Sequence, residues 1–149
     1  MMNVEINKNV KLSEHFTLAE MTKTSVKTKD GNIPSRVQIE NLRRLCGWLE
    51  RLRQRYNQPI IINSAYRSAA VNKAVGGAAT SNHLTGCAAD IRCEGIEQAI
   101  RYAFILLDIS DESQEPFDEL LIEQSAKSVW VHFAVRPSEN RRKVGFIKK

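Results

Sequence analysis

Cysteine is scarce in this chain, with three in 149 residues, and the number is odd. No paired spacing links them, which excludes a disulfide-stapled secreted scaffold. No apolar run approaches the ~18 residues that a membrane span needs. No basic segment followed by an apolar core opens the chain, so the sequence predicts cytoplasmic synthesis without a signal peptide. Reaching the outside of a cell would then require release, for example by lysis. Internal repeats, long linkers and low-complexity tracts are missing as well. One domain over residues 1–149 is therefore expected. Such a chain can bury about 70% of its unfolded surface. Interleaved aromatic and basic residues are missing, as is a groove-reading helix, which argues against nucleic acid as a partner. Histidine is as scarce as cysteine, with only His15, His83 and His132.

Charge is present but uneven. The formal net charge is +5. Residues 136–149 hold Arg136, Arg141, Arg142, Lys143, Lys148 and Lys149 against Glu139 alone. This basic tail is expected to be a solvated, partly frayed terminus. Its charge also suits contact with an anionic surface such as a cell wall.

Apolar spacing supplies the elements. Thr17-Leu18-Ala19-Glu20 is a capping-box pattern that starts a short helix. Residues 23–34 are polar, with a turn at Asp30-Gly31-Asn32. Ser35-Arg36-Val37-Gln38 is a second capping box. Ile39, Leu42, Leu45, Leu49, Leu52 and Tyr56 follow at spacings of three and four, which predicts a helix over 36–56. Residues 59–62 predict a short strand that delivers Ser64 to Arg67. Residues 68–75 predict one or two helical turns. A loop over 76–82 and a strand over 88–93 follow. A second amphipathic helix is expected over 94–109. Residues 119–124 and 129–135 predict a hairpin with its turn at 125–128. The class is α+β, a small domain with a mainly antiparallel sheet and flanking helices.

The chemistry concentrates in Ser81-Asn82-His83-Leu84-Thr85-Gly86-Cys87-Ala88-Ala89-Asp90. An imidazole and a carboxylate stand seven residues apart with small residues between. Zinc accepts both ligand types, and a catalytic zinc takes three protein ligands and an open position. His132, in a predicted strand, completes a set of His83, Asp90 and His132. Cys87 is a soft ligand type inside the motif, but it reads more simply as a filler of a small-residue slot. The same setting argues against Cys87 as a nucleophile.

Three elements in order carry a resemblance. Ser81-x-His83-x-x-Gly86-x-Ala88-x-Asp90 resembles the signature of the M15 zinc peptidases, which include D-Ala-D-Ala carboxypeptidases and peptidoglycan endopeptidases. Ser64-Ala65-Tyr66-Arg67-Ser68 resembles that family's upstream S-G-Y-R-S element, with Ala65 in place of glycine. Trp130-Val131-His132 is similar to its W-x-H element. The opening Leu12 to Glu20 also resembles one branch, so the likeness spans roughly residues 12–135. It implies a Hedgehog/DD-peptidase-like fold, a Zn2+ cofactor and peptidoglycan stem peptides as substrate. D,D-carboxypeptidase, D,D-endopeptidase and L-Ala–D-Glu endopeptidase activities all occur in that family. Small size and the missing signal peptide suit a phage-type lysin.

Arg67 is then the candidate substrate anchor, since a guanidinium fork matches a carboxylate. The other reading is a structural ion pair at the strand end. Ser81 is implied as a substrate hydrogen-bond donor, or it caps the loop. Many family members carry an acid three residues before the last histidine, where this chain has Val129. With a four-residue hairpin loop, Glu123 faces Trp130 and Leu121 faces His132. Glu123 and His132 then share a face as diagonal neighbours, making Glu123 the candidate general base. Asp118 and Glu119 are the other nearby acids. Without any base the chain would be a catalytically impaired, zinc-containing cell-wall-binding module.

Overall fold

A computed structural model describes residues 7–149. Its elements run α1 (Leu18–Met21), α2 (Arg36–Tyr56), β1 (Ile62–Ser64), α3 (Ala69–Ala74), β2 (Ala88–Arg92), α4 (Ile96–Ser113), β3 (Glu119–Gln124), β4 (Val129–Ala134) and β5 (Lys143–Lys148). A 3-10 turn, Asn82–Thr85, precedes β2. The strands form one sheet in the order β1-β2-β4-β3-β5. The fold is α+β. Only the β3–β5 pair is parallel; the other three pairs are antiparallel.

Helix α2 begins where the capping box places it. The Ser35 hydroxyl accepts from the Gln38 amide, and the Gln38 side chain accepts from the Ser35 amide. Leu42, Leu45, Leu49 and Leu52 on its inner face are fully buried, each contributing roughly 1.5–3 kcal/mol. With α4 it covers one face of the sheet. Ala89 and Ile91 of β2, Leu120 and Ile122 of β3, and Val129, Val131 and Phe133 of β4 point into that core. Trp48 of α2 packs on Phe133 with ring centroids 5.2 Å apart.

Alternation along each strand sends the intervening side chains to the opposite, open face. The ladders there pair Asp90 with His132, Leu121 with His132, and Glu123 with Trp130. The hairpin has the predicted four-residue loop and register. Val129 belongs to the buried face. An acid at that position would sit among leucines and aromatics, not at the open face.

Two expectations shift. Strand β1 starts at Ile62 and not at residue 59; upstream of it the Ile61 carbonyl still accepts from the Arg92 amide at 2.9 Å, while Pro59 has no N–H to donate to a ladder. Helix α4 continues to Ser113.

The basic tail departs further from a solvated, frayed terminus. Residues 143–148 pair with β3 along its whole length, from Glu119 opposite Lys143 to Gln124 opposite Lys148. The cause lies at the strand's entrance. The Asp118 carboxylate, fully buried, accepts from the backbone amide, Nε and Nη2 of Arg141 at 2.9, 3.0 and 2.7 Å. Arg136 Nε lies 3.2 Å away. A buried carboxylate needs such partners, and the tail supplies them.

Burial pushes the Asp118 pKa up, but hydrogen bonds from Arg141 and Asn82 outweigh it and hold it at about 2. The folded value lies below the ordinary ~3.9 of an unfolded aspartate. Its stabilisation is therefore present above pH ~4 and lost as pH falls towards 2, on the order of 2–3 kcal/mol. Asp118→Asn should lose about that much at neutral pH and flatten the acid limb between pH 4 and 2. Denaturant unfolding across pH measures both.

Candidate metal centre and cleft

His83, Asp90 and His132 meet on the open face, all three buried. Each offers a ligand atom within 4.8 Å of the others. His83 arrives on the 3-10 turn, whose first amide groups are capped by Ser81: the hydroxyl accepts from the His83 amide at 3.2 Å. Gly86 ends the turn at φ +75°, and a Cβ there would lie 2.6 Å from the Gln38 carbonyl oxygen of α2. Only glycine allows this turn to pack so close to the helix. Asp90 and His132 come from facing positions on β2 and β4.

The outer hydrogen bonds decide which nitrogens are free. His83 Nδ1 lies 2.6 Å from the Ala65 carbonyl oxygen, so it carries the proton and Nε2 faces Asp90 Oδ2 at 3.3 Å. His132 Nε2 lies 3.0 Å from Glu119 Oε1, and Nδ1 faces Asp90 Oδ1 at 3.1 Å. Both imidazoles thus turn a ring nitrogen towards the carboxylate. Ligand atoms around a tetrahedral zinc, at ~2.0–2.1 Å from it, stand roughly 3.3 Å apart. The donor set fits a divalent transition metal, with His83 Nε2, Asp90 and His132 Nδ1 as holders. The backing of His83 by a carbonyl and of His132 by a carboxylate is the usual second layer of such sites.

Electrostatics agree. Burial opposes the charge on Asp90, but His83 and His132 hold its carboxyl well below the usual range. Burial also opposes a charge on His132, yet hydrogen bonds to Asp90 and Glu119 push its pKa up to about 9. The cluster thus favours positive charge at the place a cation would take. A bound metal replaces that proton.

Around the cluster lies a cleft of about 690 Å3 lined by, among others, Arg67, Ser81, Glu119, Glu123, Trp130 and Lys143. Arg67 donates to Ser64 Oγ at 3.1 Å, Asn72 Oδ1 at 3.3 Å and Asp90 Oδ2 at 3.2 Å. Its backbone amide donates to the His83 carbonyl at 3.0 Å. Gly77 makes room for this support, since a Cβ there would collide with Asn72 Oδ1. Glu123 pairs with Lys149 at 3.3 Å. His15 stands apart, bonded to Glu50 through Nδ1 at 2.6 Å.

Sequence reasoning missed the polar chain behind His132. Glu119 Oε1 accepts from Asn82 Nδ2 at 2.6 Å, and Asn82 Nδ2 also lies 2.8 Å from Asp118 Oδ2. Asn82 Oδ1 accepts from Arg136 Nε at 2.9 Å. The hairpin register contained a signal for Glu119, which is diagonal to His132 on the side opposite Glu123. Asn32 was also missed. Its buried amide ties Thr22 and Tyr66 carbonyls to the Ser68 amide, fixing the segment that carries Arg67. A polar loop asparagine gives no such hint.

A family model described as Peptidase M15 matches residues 14–133. The chain belongs to the M15 peptidase family. No curated protein matches the sequence. Family membership makes it a peptidase, and the buried His83-Asp90-His132 cluster stands where this M15 peptidase can hold its metal. No helix among the described residues is long and apolar enough to cross a membrane.

The geometry separates a ligand from its support. His83→Ala should abolish metal binding. Glu119→Gln should keep the fold but weaken metal affinity by roughly 10–100-fold, the scale for loss of an outer-layer partner. Metal titration by calorimetry on both variants checks this. Unchanged affinity in Glu119→Gln would remove its supporting role.

Proposed function

We propose that this M15 peptidase is a zinc enzyme that hydrolyses peptidoglycan stem peptides. The observation that carries the reading is the ligand set itself. Two imidazoles with fixed tautomers and one carboxylate point together at the floor of an open cleft. Zinc, when bound, supplies a Lewis acid that polarises a peptide carbonyl and acidifies water.

The chain's own residues divide the remaining work. Arg67 anchors a substrate carboxylate or carbonyl at the cleft's β1 side, with its guanidinium already oriented by Ser64 and Asn72. Ser81 lines the cleft and stands ready to donate to substrate, while its oxygen caps the His83 turn. Glu123 takes the proton of the attacking water and passes it to the leaving amine. Glu119 holds the outer nitrogen of His132, which suits it to supporting the ligand; Glu123, diagonal to His132 and lining the cleft with Lys149 as its ion-pair partner, is left for the proton transfer. Val129 belongs to the buried core, so on this reading the base comes from the open face, where Glu123 lies; a zinc-containing module without hydrolysis is the alternative.

Digestion of purified peptidoglycan, followed by mass spectrometry of the fragments, tests the reading. Peptide cleavage should appear with zinc-loaded protein and vanish with a chelator; intact stem peptides under both conditions would refute it. The fragment masses identify the bond.

Two substitutions test the roles. Glu123→Gln should retain zinc and fold but lower turnover on the order of 10²-fold or more. Normal turnover would transfer the role to another acid. Arg67→Lys keeps charge but loses the fork, so catalytic efficiency on stem peptides should fall sharply with zinc content unchanged. Wild-type efficiency would make Arg67 structural.

A further inference from the structure

Strand β5 lies beyond the 14–133 stretch that the family model covers, yet it forms one wall of the cleft. Its register places Lys143 beside Glu119, Gly145 beside Leu121 and Ile147 beside Glu123. Facing residues in a ladder share a face, so these three belong to the same open surface as His132. Lys143 and Ile147 line the cleft together with Arg136, Arg141 and Lys149.

Charge is not balanced along this lining. Five cationic side chains, Arg67, Arg136, Arg141, Lys143 and Lys149, stand against the carboxylates of Asp90, Glu119 and Glu123. Most of these cations are engaged. Arg67 pairs with Asp90, Arg136 and Arg141 with Asp118, and Lys149 with Glu123. Lys143 makes no ion pair among the described residues, and it is exposed. Beside it, a Cβ on Gly145 would meet nothing within 4 Å. The wall therefore has a free cation next to a gap in the side-chain row, on the same rung as Leu121 and His132.

We propose that β5 is the specificity wall of this peptidase, with Lys143 receiving a carboxylate of an acidic peptide whose chain passes over Gly145. The proposal rests on the stem-peptide reading and narrows it. Asp90, which the Arg67 guanidinium contacts at 3.2 Å, lies on β2, three strand spacings from β5 in the sheet order, or roughly 14 Å. That span equals about four extended residues. The preferred peptide thus carries two carboxylates about four residues apart, one for Arg67 and one for Lys143.

The test uses two soluble stem peptides identical except that one internal carboxylate is free in the first and amidated in the second. With zinc-loaded wild-type protein at low salt, amidation should raise KM about two- to fivefold, the scale of an exposed ion pair, with little change in kcat. Lys143→Gln should narrow that gap. Gly145→Val should lower kcat/KM for both peptides while the fold and zinc content persist. Equal KM values for the two peptides in wild type, or an undiminished gap in Lys143→Gln, would overturn the proposal. Should neither peptide be cleaved, the stem-peptide reading fails, and calorimetric binding of the same pair decides the wall. Tighter binding of the free carboxylate by wild type than by Lys143→Gln supports it, and equal binding overturns it.

Discussion

The site is built on the pairing of β2 with β4 in one register, with Asp90 opposite His132. A slip of one residue would send His132 into the leucine- and aromatic-lined core and bring a valine or phenylalanine to the open face. The buried row of Val129, Val131 and Phe133 against α2 and α4 prevents that slip. The hydrophobic core therefore sets the position of the polar site. Apolar burial on one face fixes, through strand alternation, which side chains meet on the other.

Hydrogen bonds then convert proximity into a ligand set. The Ala65 carbonyl selects the proton position on His83, and Glu119 selects it on His132. Without those partners two neutral imidazoles would present either nitrogen. The polar chain continues from Glu119 through Asn82 to Asp118 and the arginines of the tail. The same buried aspartate that docks β5 thus shares a partner with the residue that orients His132. Sheet completion and ligand orientation are coupled through one asparagine.

Much of this was legible in the sequence for identifiable reasons. Helix α2 carries two independent signals, a capping box and a stripe of leucines, and both agree. The register of the β3–β4 hairpin was legible because its loop length sets it, although β4 ends at Ala134 and not at 135. His83, Asp90 and His132 could be grouped because histidine is so scarce that few combinations exist. Strand β5 was not legible. Its six residues mix lysines and glycine with Val144 and Phe146, which remain exposed, and its anchor is a tertiary contact to Asp118, far away in sequence. The apolar run at 59–62 marks a buried strand, but Pro59 cannot donate to a ladder and the paired strand begins only at Ile62. Asn82 and Glu119 owe their roles to neighbours that only the folded sheet brings together.

On the proposed zinc chemistry, the sheet register and two hydrogen bonds present His83 Nε2, Asp90 and His132 Nδ1 to a single zinc ion. Crystals of the zinc-loaded protein, measured on both sides of the zinc absorption edge, test it most directly. One anomalous peak within bonding distance of those three atoms, with Glu119 still on His132 Nε2, is the predicted result. A peak at His132 Nε2, or zinc bound elsewhere on the chain, would contradict it.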